Sequence, residues 1–200
     1  MTKRERMRNV LANKPVDRVP VAFFHHFTEA GDWNMGLVRT EAFERNIEGH
    51  RQALEVFDPD IIKIMNDTLM MMPLDVSFAE HASDLAAIRP MPLDCEYAVK
   101  QIELTKRVME IYRDCDAPVY VTSFSAAWVL RNALILGLPV AGAQEPQMKR
   151  FMAEDPEAVA NCLMRISEGI AALNRVLMTE CGADGIYFSV ANQAGFFPRE

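Results

Sequence analysis

The sequence predicts an α/β fold, and within that class a TIM-type (β/α)8 barrel of which this chain supplies the N-terminal half. Short apolar runs alternate with longer amphipathic segments, an order typical of parallel strands joined by right-handed helical crossovers. An open doubly wound sheet would carry a glycine-rich phosphate turn after its first strand, but residues 19–24 are followed by His25, His26 and Phe27. About four β/α units fit in the 200 residues, whereas a complete barrel takes about 250. We expect one domain over residues 1–200.

The N-terminal elements follow from capping residues and periodicity. Thr2 and Glu5 form a capping box, which predicts a helix over residues 6–13, and the apolar run at residues 19–24 predicts the first strand. Thr40 is suited to cap the next helix. The segment DIIKIMND is typical of a buried parallel strand, and a loop-rich insertion follows it. The helix after Thr40 carries one apolar stripe, formed by Phe43, Ile47, His50, Leu54 and Phe57.

The C-terminal half continues the alternation of helix and strand. Helical spacing predicts helices over residues 97–113 and 126–136, with a strand over residues 117–123 between them. Gly137 and Pro139 are expected to end the second of these helices. Both residue types break helices.

A last helix and a fourth strand complete the pattern. Asp155, Pro156 and Glu157 make a compact helix start, with an acidic N-cap and proline at the first helical position. Gly182 is expected to end the helix, and residues 185–190 predict the strand. The buried face of the helix is marked by Val159, Leu163, Ile166, Ile170, Leu173 and Leu177.

Composition narrows the class of protein. Half of the residues are hydrophobic, the net charge is −7, and no apolar run approaches the roughly 20 residues of a membrane helix. The charged N-terminus lacks a following apolar signal region, so we expect a cytoplasmic protein without a membrane partner. Lysines and arginines alternate with acids, which argues against nucleic acid. The cysteines are scattered without a metal-binding spacing and predict reduced thiols: Cys95, Cys115, Cys162 and Cys181.

The adjacent histidines in PVDRVPVAFFHHF are candidates for a site. They follow the first predicted strand, and barrels build their sites at the C-terminal ends of strands. Neighbouring strand residues point to opposite faces, so at most one of His25 and His26 contacts a substrate there. The alternative is that both merely end a core strand.

Five segments resemble the uroporphyrinogen decarboxylase superfamily, which includes the corrinoid-linked methyltransferases. RERMRNVLANKPVDRVPV is similar to its opening helix and first strand, and FDPDIIKIMNDTL and APVYVTSFS to its second and third strands. MKRFMAEDPEAVANCLMRI is similar to a helix of the family, and CGADGIYFSVANQAG to the strand after it. The five lie in the family order and span essentially the whole chain, so the resemblance implies the superfamily but not one reaction.

The resemblance also implies site residues. Asp67 matches the decarboxylase carboxylate that stabilises positive charge on a protonated pyrrole, although it could instead cap its loop. His25 stands where the family has its first substrate-binding arginine, and Phe124 where it has a tyrosine. Ser189 matches a substrate-contacting serine. Asp67 is therefore the expected catalytic residue, and His25, His26, Phe124 and Ser189 the expected substrate-binding residues.

Three functions follow from these matches. The first is decarboxylation of a tetrapyrrole-type substrate without a cofactor, which the retained Asp67 favours. The second is methyl transfer between a corrinoid protein and a small methylated substrate or acceptor, with a zinc ion whose ligands lie outside this chain. The third is a barrel that binds a tetrapyrrole without chemistry. No metal ligand is expected within the chain, and a homodimer is expected.

Two geometric expectations can be compared with the structure. The four predicted strands should be parallel neighbours in chain order. Asp67 and His25 should converge on one pocket, because adjacent parallel strands bring their ends within about 5 Å. Half a barrel would expose two sheet edges and its inner face, so we expect the 200-residue chain to self-associate.

Overall fold

A computed structural model describes residues 1–136 and 145–190 of the chain. It is a mixed helix and strand structure with three parallel strands in one open sheet, ordered β1-β2-β3. Short 3-10 helices occur at Ala30–Asp32 and Ala82–Ala87. The strands are β1 Ile62–Ile64, β2 Val119–Phe124 and β3 Gly185–Ser189, and the helices are α1 Lys3–Leu11, α2 Thr40–Val56, α3 Glu96–Ile111, α4 Ala126–Leu136, α5 Glu145–Glu154 and α6 Pro156–Thr179.

The helix predictions agree with the structure to within a few residues at each end. The capping box is present, since the Glu5 amide donates to Thr2 Oγ1 at 3.1 Å and the Thr2 amide to Glu5 at 2.9 Å, and α1 starts at Lys3. Helix α2 begins at Thr40 itself, with Arg39 as its N-cap residue, so the predicted Thr40 cap is wrong by one position. The periodicity of the sequence did not predict α5 as a separate helix. Gly137 and Pro139, the expected end of α4, lie outside the described residues.

The predicted first strand over residues 19–24 is reduced to an isolated bridge. Ala22 pairs with Ile61 in a parallel bridge, and the Asp60 amide donates to the Val21 carbonyl at 2.7 Å. The ladder does not extend because Pro20 has no amide hydrogen, and because the Val21 amide donates to the Asp60 carboxylate at 2.8 Å instead of to a strand carbonyl. The bridge runs parallel to β1, and the bridge segment and the three strands follow one another across the sheet in chain order.

Alternation along β1 places Lys63 and its neighbouring isoleucines on opposite faces of the sheet. β1 pairs with β2 in parallel register, with Ile62 opposite Val119 and Lys63 opposite Tyr120. Ile62 and Ile64 are buried, and Lys63 points to the other face because successive side chains of a strand alternate. A lysine therefore stands on the face opposite the isoleucines.

The described chain divides into two compact units. The first comprises Met1–Met71, Asp94–Ser123 and Asn174–Tyr187, and α2 packs on α3 within it. The second comprises Met72–Leu93 with the described residues of Phe124–Leu173 and Phe188–Glu200. The core of the second unit is apolar and includes Leu85, Leu130, Leu134, Met148, Phe151, Val159 and Ile166. None of the described helices is both long and apolar enough to cross a membrane.

A buried carboxylate ties the N-terminal segment to the start of β1. Asp60 has a fully buried side chain and accepts hydrogen bonds from Arg6 at 2.5 Å and from Arg18 at 2.5 and 2.9 Å. Burial acts to raise the pKa of Asp60, but the bonds from Arg18, the Val21 amide and Arg6 outweigh it and hold that pKa below its usual value. The aspartate and arginine of the PVDR sequence thus have structural roles, since Asp17 also accepts from Arg6 at 2.7 Å.

His50 is a structural residue that joins α2 to β1 and α3. Its Nε2 accepts the Met65 amide at 3.2 Å, and its Nδ1 lies 3.3 Å from the Tyr112 hydroxyl, which donates to the His50 carbonyl at 2.9 Å. These bonds satisfy both ring nitrogens of a neutral imidazole. Burial, with a smaller contribution from His25, lowers the pKa of His50 to about 3.

This buried histidine predicts acid sensitivity. The unfolded chain binds a proton on His50 below pH about 6.5, and the folded chain only near pH 3. The contribution of neutral His50 to the free energy of unfolding is therefore full above pH 6.5 and is lost progressively as the pH falls toward 3. We expect the free energy of unfolding, measured in urea, to fall more steeply between pH 6 and 4 in the wild type than in His50→Gln, by up to about 1.4 kcal/mol per pH unit. His81→Gln, at an exposed position, should keep the wild-type slope; equal slopes in all three proteins would contradict the assignment.

Apolar side chains of the first unit are exposed beside the bridge. Val19 is 79% exposed and Phe23 50% exposed, and Val21 and Phe24 are also exposed. Exposed apolar surface of this kind favours association. We expect light scattering of the purified 200-residue chain to give a mass above that of a monomer, and a concentration-independent monomer would contradict this.

Candidate functional site

The candidate site lies where β1 ends, in the first unit. The Lys63 ammonium donates to Asp67 Oδ2 at 2.8 Å, and the two side chains are 6% and 18% exposed. The turn after β1 brings them together, because the Leu69 and Met70 amides donate to the Asn66 carbonyl at 3.2 and 3.1 Å and fold Asp67 back over the strand. The site therefore contains a largely buried ion pair.

Asn66 anchors this turn from within the unit. Its Nδ2 donates to Gln101 Oε1 and to the Thr122 carbonyl, both at 2.9 Å, and the residue is buried. Asn46 of α2 donates to the Met65 carbonyl at 2.7 Å. Hydrogen bonds with two helices and a strand thus hold the backbone that carries Asp67.

Two aromatic rings flank the Lys63 ammonium. Its Nζ lies 5.5 Å from the centroid of Phe24 and 5.2 Å from that of Tyr187, and the two rings meet edge to face at 5.4 Å. Both distances suit cation–π attraction. The rings shield the ammonium, which has little contact with water beside Asp67.

His26 approaches Asp67 from the segment before the first 3-10 helix. Its Nδ1 lies 3.0 Å from Thr68 Oγ1 and 3.9 Å from Asp67 Oδ1. Thr68 Oγ1 in turn lies 3.0 Å from Thr28 Oγ1, and the imidazole meets the Trp33 ring at 6.0 Å. His26, Asp67 and Lys63 therefore form one cluster of ionisable groups, and a hydroxyl pair orients the imidazole.

His25 lies in different surroundings. Its ring packs edge to face on Phe27 at 4.8 Å and on Phe57 at 5.5 Å, and it lines a small pocket together with Phe23, His50 and Lys63. Residues 23, 25 and 27 line that pocket together, as alternation along an extended segment requires. Asp67 is not among the residues that line this pocket, and the imidazole nitrogen that lies 3.9 Å from Asp67 Oδ1 belongs to His26, so the convergence of His25 on Asp67 stays a prediction.

Phe124 and Ser189 belong to the second unit, where each has local partners. Phe124 is half-buried and stacks on Trp128, one helical turn along the chain, with ring centroids 3.8 Å apart and planes inclined by 12°. The Ser189 carbonyl accepts the Ser125 amide at 2.9 Å. Their roles in substrate binding stay predictions.

One oxygen of Asp67 lacks a hydrogen-bond donor. Oδ1 is buried and accepts no hydrogen bond from any described residue, and His26 Nδ1 at 3.9 Å is too far to donate. A buried carboxylate oxygen without a donor is costly, and a ligand N–H is one way to satisfy it. Because Oδ1 is covered in this conformation, such a ligand reaches it only when a covering side chain shifts.

Metal ligands do not cluster in the described part of the chain. Among residues 1–136 and 145–190, no three His, Cys, Asp or Glu side chains are close enough together to hold a metal ion. Burial raises the pKa of the Cys162 thiol to about 11, against a smaller opposing effect of Arg165, and burial also raises the pKa of Cys181. Both thiols therefore ionise less readily than a thiol in water.

Searches against protein-family models, curated proteins and solved structures find no match to this chain. The family resemblance therefore stays a prediction from motifs. The cluster around Asp67 is the structural indication of function.

Sequence reasoning missed several residues of this cluster, above all Lys63 and the two threonines. Lys63 is the one charged residue inside the apolar run IIKIM, four positions before Asp67. A lysine within a buried strand needs a nearby acid, and this spacing was the available signal. Thr28, Thr68 and Trp33 lie in irregular segments, so periodicity carried no information about them.

Proposed function

We propose that this protein is a uroporphyrinogen decarboxylase-like enzyme that removes carboxylate groups from a tetrapyrrole-type substrate without a cofactor. The observation that carries the proposal is the largely buried Asp67 carboxylate at the end of β1, with one oxygen held by Lys63 and the other without a donor among the described residues. Pyrrole N–H groups are donors of the kind that this oxygen lacks. The family motifs around β1 support the same assignment.

Asp67 would act through its charge. A ring that is protonated before it loses carbon dioxide becomes positive, and a fixed carboxylate beside it lowers the energy of that state. Lys63 holds Oδ2 at 2.8 Å, so the carboxylate does not rotate freely. The rings of Phe24 and Tyr187 cover the Lys63 ammonium, whose side chain is 6% exposed, and limited contact with water strengthens its attraction to Asp67.

The direct test is turnover of uroporphyrinogen under anaerobic conditions. We expect the full chain to convert it to products that have lost carboxylates stepwise, separated by chromatography and identified by mass. The same protein inactivated by heat serves as the blank. Unchanged substrate after prolonged incubation with folded protein would refute the assignment.

A methyltransferase is the second candidate, because two observations weaken the decarboxylase assignment. Lys63 compensates the charge of Asp67, and the position of the family arginine is taken by His25, which packs on Phe27 and Phe57. The described cluster therefore has fewer cationic groups to bind a polycarboxylate substrate than a decarboxylase site with its arginines would have.

The two candidates are distinguished by one parallel assay. The purified protein, supplied with zinc, is incubated with methylcobalamin and a thiol, and the methylated thiol is quantified beside the uroporphyrinogen reaction. A methylated product, with stoichiometric zinc in the protein and no decarboxylation, would replace our first proposal by methyl transfer. Decarboxylation without methyl transfer would exclude the second candidate.

A further inference from the structure

We propose that His26 is the residue that exchanges a proton with the substrate at this site, and that Asp67 and Thr68 position its imidazole. The chemical role rests on the proposed decarboxylation. The arrangement of the three side chains rests on the structure alone. Nothing in the family motifs assigns a role of this kind to the second histidine of the pair.

The imidazole has an inner and an outer nitrogen. Nδ1 faces Thr68 Oγ1 at 3.0 Å and Asp67 Oδ1 at 3.9 Å, whereas no described residue hydrogen-bonds to Nε2. The side chain is 40% exposed. One nitrogen is thus held within the cluster, and the other remains available to a ligand. A histidine that acts as general acid or base needs this arrangement, because one nitrogen fixes the ring and the other exchanges the proton.

The hydroxyl pair explains how the imidazole stays in place in both charge states. With the proton on Nδ1, His26 donates to Thr68 Oγ1, and Thr68 donates to Thr28 Oγ1 at 3.0 Å. The nearby Asp67 carboxylate favours this tautomer, because the N–H dipole points toward negative charge. Gain of a second proton at Nε2 leaves all these inner bonds unchanged, so proton exchange needs no rearrangement.

The charges facing His26 come from two sides. Asp67 places a negative charge 3.9 Å from Nδ1, and Lys63, bound to the other oxygen of the same carboxylate, places a positive charge behind it. On the segment that follows His26, Asp32 is paired with Arg39 at 3.0 Å and with Arg45. Arg45 also lies 3.5 Å from Glu29, so these four charges largely compensate one another.

Decarboxylation needs a proton at the point where His26 could supply it. In a ring that has been protonated, the bond to the carboxylate carbon breaks, carbon dioxide leaves, and the electron pair neutralises the positive ring. In the proposed step the imidazolium gives its Nε2 proton to the side-chain carbon that lost the carboxylate, the ring gives its extra proton to solvent, and the imidazole becomes neutral. A solvent proton then returns to Nε2 before the next cycle, so that each cycle consumes one proton.

The test compares His26→Gln with His81→Gln in uroporphyrinogen turnover across pH. His81 is an exposed histidine of the second unit, 3.0 Å from Glu154, and serves as the matched control. We expect His26→Gln to lower kcat by about 10²-fold or more with little change in KM, and to flatten the pH dependence of kcat. His81→Gln should match the wild type in both.

A ¹⁵N NMR measurement reports the arrangement without turnover. We expect neutral His26 to carry its proton on Nδ1, and Thr68→Val to shift it toward the Nε2 tautomer. Turnover by the wild type with an unchanged pH profile in His26→Gln would overturn the inference alone. Absence of turnover in the wild type would overturn the proposed function and the proton transfer with it, and an Nε2 proton in the wild type would overturn the positioning by Thr68 and Asp67.

Discussion

Replacing Asp67 with Asn is expected to lower the rate of uroporphyrinogen decarboxylation by about 10²-fold or more. The amide keeps the shape of the side chain and can still accept the hydrogen bond from Lys63 through its oxygen. It removes the negative charge that would stabilise a protonated ring, and it leaves the Lys63 ammonium uncompensated. The change is measured as kcat with the variant shown to be folded by circular dichroism.

Asp75→Asn is the control for this substitution. Asp75 is exposed in the second unit and accepts hydrogen bonds from the Ser77 amide and hydroxyl at 2.9 and 2.7 Å. Its replacement should leave kcat at the wild-type value. If Asp67→Asn and Asp75→Asn both retained full activity, Asp67 would have no electrostatic role in the reaction.

Replacing Asp60 with Ala should destabilise the fold by about 3 kcal/mol. Arg6 would remain with its side chain 6% exposed and without the carboxylate that it bonds at 2.5 Å, and the Val21 amide would lose its acceptor. Asp17 still contacts Arg6, which places the effect at the lower end for a broken buried pair. The free energy of unfolding is measured in urea at pH 7.

The matched control is two residues away. Asp58 pairs with Lys3, but its side chain is 90% exposed, so Asp58→Ala should cost at most about 1 kcal/mol. Equal losses in the two variants would mean that the buried network around Asp60 contributes no more than a surface pair. A loss confined to Asp60→Ala supports its role in tying the N-terminal segment to β1.

Helices were predictable because their signals are local. The capping box of Thr2 and Glu5 depends on residues three apart, and the amide of Ala158 donates to the predicted Asp155 cap at 2.9 Å. The first strand was not predictable in the same way, because a distant residue decided it. The Asp60 carboxylate takes the Val21 amide that a ladder would use.

The site was predictable only in part. Asp67 could be named from its place after a strand and from the family motif, and the alternation rule placed only one of the two histidines near it. Which histidine approaches Asp67 depends on the phase of the segment, and this is set by the packing of Phe27 and His25 against Phe57 and His50. Such contacts between distant residues leave no trace in the spacing of the sequence.

A crystal structure of the protein with a reduced tetrapyrrole product bound would test most directly whether the cluster around Asp67 is the active site. If this cluster is the active site, the macrocycle lies against Lys63, His26 and Asp67, with a pyrrole N–H about 3 Å from Asp67 Oδ1. Electron density for the macrocycle at another place, with Asp67 Oδ1 still covered, would contradict the assignment of this cluster as the active site.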